Sequence, residues 1–65
     1  MVKKGAIEKI AKVLRKEEMS TSEIAAETNR SYLDTIKILR ELFKKRIVLR
    51  RIEGNAVYWR LKYDI

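Results

Sequence analysis

The chain contains no cysteine, no histidine and no proline, and only two glycines in 65 residues. Without cysteine there is no disulfide, and without a Cys or His cluster there is no structural metal to hold a small domain together. The same absences remove the usual nucleophiles and acid–base groups. There is also no glycine loop to cradle a phosphate and no pair of carboxylates on an expected cleft, so neither an enzyme nor a bound cofactor is expected. No apolar run approaches the roughly 20 residues that cross a bilayer, and the N-terminus shows no signal-peptide pattern. A cytoplasmic protein with no membrane partner is the expectation, and no small-molecule ligand is evident.

A chain of 65 residues reads as one domain, 1–65. Domains of this size bury only about 60% of their unfolded surface, so dimerisation, a partner surface or unusually good packing has to offset marginal stability. Charge is the feature present in excess. Sixteen basic and nine acidic side chains give a net charge of +7. Residues 1–29 carry six basic and five acidic groups, whereas residues 30–65 carry ten and four. The excess of positive charge therefore lies in the second half, as expected where a polyanion docks. A merely solvated Lys/Arg face is the bland alternative.

Residues 1–4 read as a frayed end with two lysines. A first helix is predicted over Lys4 to Glu17, with Ile7, Ile10, Ala11 and Leu14 at helical spacing, Ala6 and Val13 flanking them, and Glu8, Lys9, Lys12, Arg15 and Lys16 facing out. Its role is core, with an apolar edge left over for a dimer contact. Met19 follows as core filler.

The stretch from Ser20 to Val48 organises the rest. Ser20 and Glu23 have the spacing of a capping box, so a second helix begins near Thr21 with Ile24, Ala25 and Thr28 on its inner face. Asn29 and Arg30 form a sharp turn, because Asn tolerates a left-handed backbone. Ser31 caps a third helix whose expected core arc is Leu33, Ile36, Leu39, Leu42 and Phe43, with Ile38 at its margin. The opposite arc, Asp34, Lys37, Glu41 and Lys44 with Arg40 at its edge, would meet a partner.

Beyond Arg46 the period becomes alternating. Strands are predicted over Val48 to Glu53 and Ala56 to Lys62, joined by Gly54 and Asn55 in a tight primed turn. That register sets Val48, Ile52, Val57, Trp59 and Leu61 against the helices and leaves Leu49, Arg51, Tyr58 and Arg60 outside. Trp59 is read as a core lid with Arg50 resting on it, in preference to a base-stacking platform.

The segments EIAAETNRS and LRELFKKRIVLRRIEGNAVYWRL resemble the winged helix-turn-helix family of DNA-binding proteins, and the EGN turn with its VYWRL return strand resembles the wing of ArsR-type repressors. The resemblance covers roughly residues 7 to 62 and departs from the pattern at Asn29, where Gly is usual, at Arg30, where an aliphatic residue is usual, and at Arg46, where Gly usually ends the recognition helix. It implies an α+β fold, three helices followed by a two-stranded β-hairpin wing. It also implies sequence-specific binding of double-stranded DNA in transcriptional regulation, with helix 31–45 in the major groove and wing 48–62 on flanking backbone. Such a protein is nucleoid-associated when bound. In roles carried over from the family, Ser31, Tyr32, Asp34 and Lys37 face base edges, Arg30, Arg40, Lys44 and Arg51 neutralise phosphates, and Thr21 or Ser22 donates to phosphate. Asn55 stands at the wing tip, where many relatives carry a basic residue. A homodimer through the first helix or the tail Tyr63 to Ile65 is expected. ArsR-type sensors bind metal through cysteines or Asp/His sets, so metal-dependent regulation is not expected here. The competing reading is a winged-helix module that binds protein within a larger assembly.

Overall fold

A computed structural model of the chain describes residues 4–62. The elements run α1 (Lys4–Leu14), β1 (Met19–Ser20), α2 (Thr21–Glu27), α3 (Tyr32–Lys44), β2 (Val48–Glu53) and β3 (Ala56–Leu61). The strands form an antiparallel sheet in the order β1-β3-β2. This is the winged helix-turn-helix arrangement, with one strand more than the hairpin alone. Met19 and Ser20 pair with Trp59 and Tyr58 along the inner edge of the wing. The expected ends Met1 to Lys3 and Tyr63 to Ile65 lie outside the described residues.

Local signals explain the helix-turn-helix. The Ser20 hydroxyl accepts the Glu23 amide at 3.2 Å while the Glu23 carboxylate accepts the Ser20 amide at 3.0 Å. Both orphan donors at the start of α2 are satisfied by that exchange. At the other end, Asn29 adopts φ 54 and the amides of Asn29 and Arg30 donate to the carbonyls of Ala26 and Ala25. This paired pattern is a Schellman termination. Ser31 then accepts the Asp34 amide at 3.1 Å and starts α3. The same termination closes α3: Arg46 has φ 61, its amide donates to Phe43, and the Ile47 amide donates to Leu42. Both departures from the family pattern at a glycine position are thus left-handed residues without glycine.

Ile10, Ile24, Leu39, Leu42 and Val48 form the buried centre, with Ala6, Leu14, Met19, Ile38 and Trp59 around them. Helix α1 ends three residues before the expected Glu17. Leu14 is its last buried contact, Arg15 to Glu17 are exposed, and the chain has to be extended by Met19 to reach Trp59. No packing remains to hold another helical turn.

The larger correction concerns α3. Its buried residues are Thr35, Ile38, Leu39 and Leu42, whereas Leu33 is 70% exposed and Phe43 lies at the margin. The helix is turned by roughly a quarter of a revolution from the arc drawn through its apolar letters. Thr35 makes this possible. Its hydroxyl donates to the Ser31 carbonyl at 2.8 Å, so a polar side chain occupies the core with its hydrogen bond made.

The wing has the expected register throughout, Glu53 opposite Ala56 and Val48 opposite Leu61. Gly54 takes φ 59 and Asn55 does not share the left-handed region, the pattern of a type II′ turn, which calls for glycine at its first central position. Val48 and Trp59 are buried and Val57 and Leu61 half-buried, but Ile52, on the edge strand β2, is 66% exposed, while its partner Val57 on the central strand packs on the core. Arg50 does not rest on Trp59. Its guanidinium lies over the Phe43 ring, 4.4 Å from the centroid, and Phe43 meets Trp59 edge-on at 6.2 Å.

Candidate nucleic-acid interface

The rotation of α3 determines what it shows to a partner. Leu33, Lys37, Arg40 and Lys44 fall within roughly 60° of one another, directly opposite Thr35, Ile38, Leu39 and Leu42. All four are exposed. Among the described residues, Lys37, Arg40 and Lys44 form no ion pair, since the two salt bridges both belong to Arg51. Three cations with no acidic counterpart therefore run along a helix roughly 20 Å long. Asp34 and Glu41 lie to one side of that line, and Glu41 is half-buried. Tyr32 is exposed on the first turn, beside Ser31, whose Oγ accepts from Asp34 and whose O–H proton remains available to a ligand.

Arg51 has a different environment from the one expected for a phosphate contact. Its guanidinium donates to both Glu18 oxygens, at 2.8 and 3.3 Å, and to Glu53, and it stacks 4.6 Å from the Tyr58 ring centroid. The hydrogen bond from Arg51 holds the Glu18 carboxyl below its ordinary value, and the two carboxylates in turn push Arg51 further up. This group ties the outer face of the wing to the segment before β1. Its position on the outer face of the wing was legible by strand alternation; its partner Glu18, 33 residues away, was not.

Thr21 is excluded from the surface. It is buried, its Oγ1 accepts from the Trp59 indole Nε1 at 2.8 Å and reaches the Val57 carbonyl at 3.4 Å. A hydroxyl committed to anchoring the core tryptophan has no contact to offer phosphate, and Ser22, exposed one residue on, remains the candidate donor. Arg30 is half-buried at the α2–α3 turn, and its Nε is inaccessible and without a hydrogen-bond partner. Asn55 is exposed at the wing tip. Sequence reasoning missed Leu33, which it placed in the core; the only available signal was that Thr35, Ile38, Leu39 and Leu42 also form a complete helical stripe once Thr35 is admitted as a core residue.

Among the described residues no group of His, Cys, Asp and Glu could hold a metal ion, and no helix is long and apolar enough to cross a membrane.

No family model matches the chain, and no curated protein matches it in sequence. Solved structures do. The homodimeric winged helix-turn-helix DNA-binding domain of a possible ArsR-family transcriptional regulator from Mycobacterium bovis superposes with a TM-score of 0.88 at 24% identity, over 94% of this chain and 56% of that one. The transcriptional regulator HlyU from Vibrio vulnificus gives 0.83 at 26% identity, over 98% and 66%. A zinc-responsive MarR family member from Lactococcus lactis, ZitR, gives 0.84 at 20% identity, over 95% and 45%. The chain thus spans less than two thirds of the length of each of these three, and its structural neighbours are winged-helix domains of transcriptional regulators.

Proposed function

We propose that the chain binds double-stranded DNA in a sequence-dependent way as part of a transcriptional regulator, with α3 in the major groove. The observation that carries this reading is the outward line of Lys37, Arg40 and Lys44, three cations with no acidic partner on the face a groove would meet. A major groove about 12 Å wide admits such a helix. In this pose Ser31, Tyr32, Asp34 and Lys37 approach base edges. Arg30, Ser22, Arg40 and Lys44 approach phosphates, and the hairpin β2–β3 lies along flanking backbone with Asn55 at its tip. The neighbour from Mycobacterium bovis, described as a DNA-binding domain, supports DNA as the ligand.

A single unit covers a short site with few charges, whereas specific sites are read by paired modules one helical turn apart. A homodimer on DNA is therefore part of the proposal, with the half-buried Ile7 and Ala11 flank of α1 as the described surface available to it. The homodimeric neighbour supports this. Binding to another protein is the second reading, favoured by the exposure of Leu33 and Ile52.

Titration of the protein against random and genomic duplex DNA at several salt concentrations tests the proposal. Arg30, Arg40 and Lys44 from both copies of the dimer make about six phosphate contacts, which predicts a slope of log K against log salt of roughly −4 to −6. A flat response removes DNA as the main ligand. Sedimentation showing a single copy on a specific site removes the dimer.

A further inference from the structure

Leu33 has no task inside the molecule. Among the described residues it is the most exposed of the large apolar side chains at 70%, and it belongs neither to the buried core nor to the partly buried residues packed on it. Phe43 lies between Trp59 and Arg50, so its partial exposure is accounted for. Leu33 instead occupies the second position of α3, on the helix's outermost line, with Lys37 one turn along and Arg40 two turns along. On the DNA-binding reading above, this is the position nearest the groove floor. A leucine there can neither donate nor accept a hydrogen bond, so it is blind to the polar edges of guanine, cytosine and adenine. The major groove offers one apolar group, the C5-methyl of thymine. A protein partner suits the surroundings less well, because covering Leu33 would desolvate Lys37 and Arg40, which bring no acidic counterpart, whereas DNA supplies phosphates to both.

We infer that Leu33 is a specificity-determining residue that packs against the methyl group of a thymine, so that the recognised site carries a thymine facing the start of α3. The test begins with a preferred site selected by the full chain from a random duplex pool. Each thymine is then replaced in turn by deoxyuridine, which removes the methyl group and keeps every hydrogen-bonding edge. At one position this weakens the wild-type protein about four-fold, the effect of burying one methyl group. Leu33→Ala weakens binding to the thymine site by at least that factor and loses little more when the same thymine becomes deoxyuridine. Leu33→Met, which keeps an apolar reach, restores the discrimination. Leu33 is outside the core and alanine favours helix, so the variant folds; circular dichroism verifies this. Losses that simply add, a selected site without a common thymine, or unchanged affinity in Leu33→Ala overturn the contact while leaving DNA binding intact. Absence of salt-dependent binding by the wild type overturns both.

Discussion

Helix α3 and the wing both carry exposed arginines and lysines, yet the two regions hold their charge differently. On α3, Lys37, Arg40 and Lys44 point outward with no acidic neighbour bonded to them. On the wing, Arg51 is bonded to Glu18 and Glu53 and stacked on Tyr58. A count of charges treats these cations alike. A phosphate does not, because a guanidinium already engaged by two carboxylates releases few counterions when DNA arrives. On the proposed reading, α3 offers its charge to DNA while Arg51 fastens the wing.

The largest effect that follows is on the helix. Replacing Lys37, Arg40 and Lys44 together by alanine should make the salt slope less negative by roughly 0.9 for each lost contact and weaken binding to all duplexes. Lys37→Ala alone should cost about 1–3 kcal/mol on the preferred site and less on random DNA, as for a side chain at a base edge. Arg51→Ala should change the slope by much less than one. The comparison breaks if Arg51→Ala lowers the slope by a full unit while the helix variants leave it unchanged.

Freeing the wing sharpens the same comparison from the other side. Glu18→Gln combined with Glu53→Gln leaves Arg51 charged and without its carboxylates, so the slope should steepen by about one. A slope no steeper than that of the wild type would mean that Arg51 faces away from the DNA backbone even when released.

These differences were legible to unequal degrees. Signals that act over three or four residues were readable: the reciprocal Ser20 and Glu23 bonds, the Ser31 cap, the left-handed Asn29 and the Gly54 turn that sets the wing register. The phase of α3 was not, because apolar letters favour Leu33 over Thr35, and only the Ser31 carbonyl accepting the Thr35 hydroxyl makes threonine the better core residue. Nor was the state of Arg51, since Glu18 reaches it only after β1 has paired with β3. Fold depends here on local chemistry, whereas the charge available to a ligand depends on contacts between distant segments.

Two positions at the ends of the helices should trade stability against binding. Arg46 holds a left-handed backbone at the exit of α3, which costs a non-glycine residue about 1 kcal/mol or more. After allowing for the extra chain entropy of glycine, Arg46→Gly should stabilise the domain by about 0.5 kcal/mol, read from denaturant midpoints. Arg30→Met should stabilise by about 1 kcal/mol by removing the buried, unpartnered Nε, and should lower the salt slope if its guanidinium meets phosphate. A destabilised Arg30→Met would show that the charged end has a partner in solution.

The smallest effect concerns the fastening of the wing itself. The hydrogen bond from Arg51 depresses the Glu18 pKa below its usual 4.5, so the unfolded chain binds the proton more readily than the folded one. The stabilisation is therefore fully present above about pH 4.5 and is lost as pH falls through the lower folded value. Because Arg51 is exposed and Glu18 is open to solvent on one side, the gain is small and screened by salt. Comparing thermal midpoints of the wild type and Glu18→Gln across pH isolates it. The wild type should melt higher at neutral pH, and the two curves should converge in acid below the depressed Glu18 pKa. A difference that persists unchanged in acid would assign the effect of Glu18 to packing of its stem instead of to the bond with Arg51. A difference that grows in acid would reverse the sign of the linkage, and the wing would then have to be held by something other than this pair.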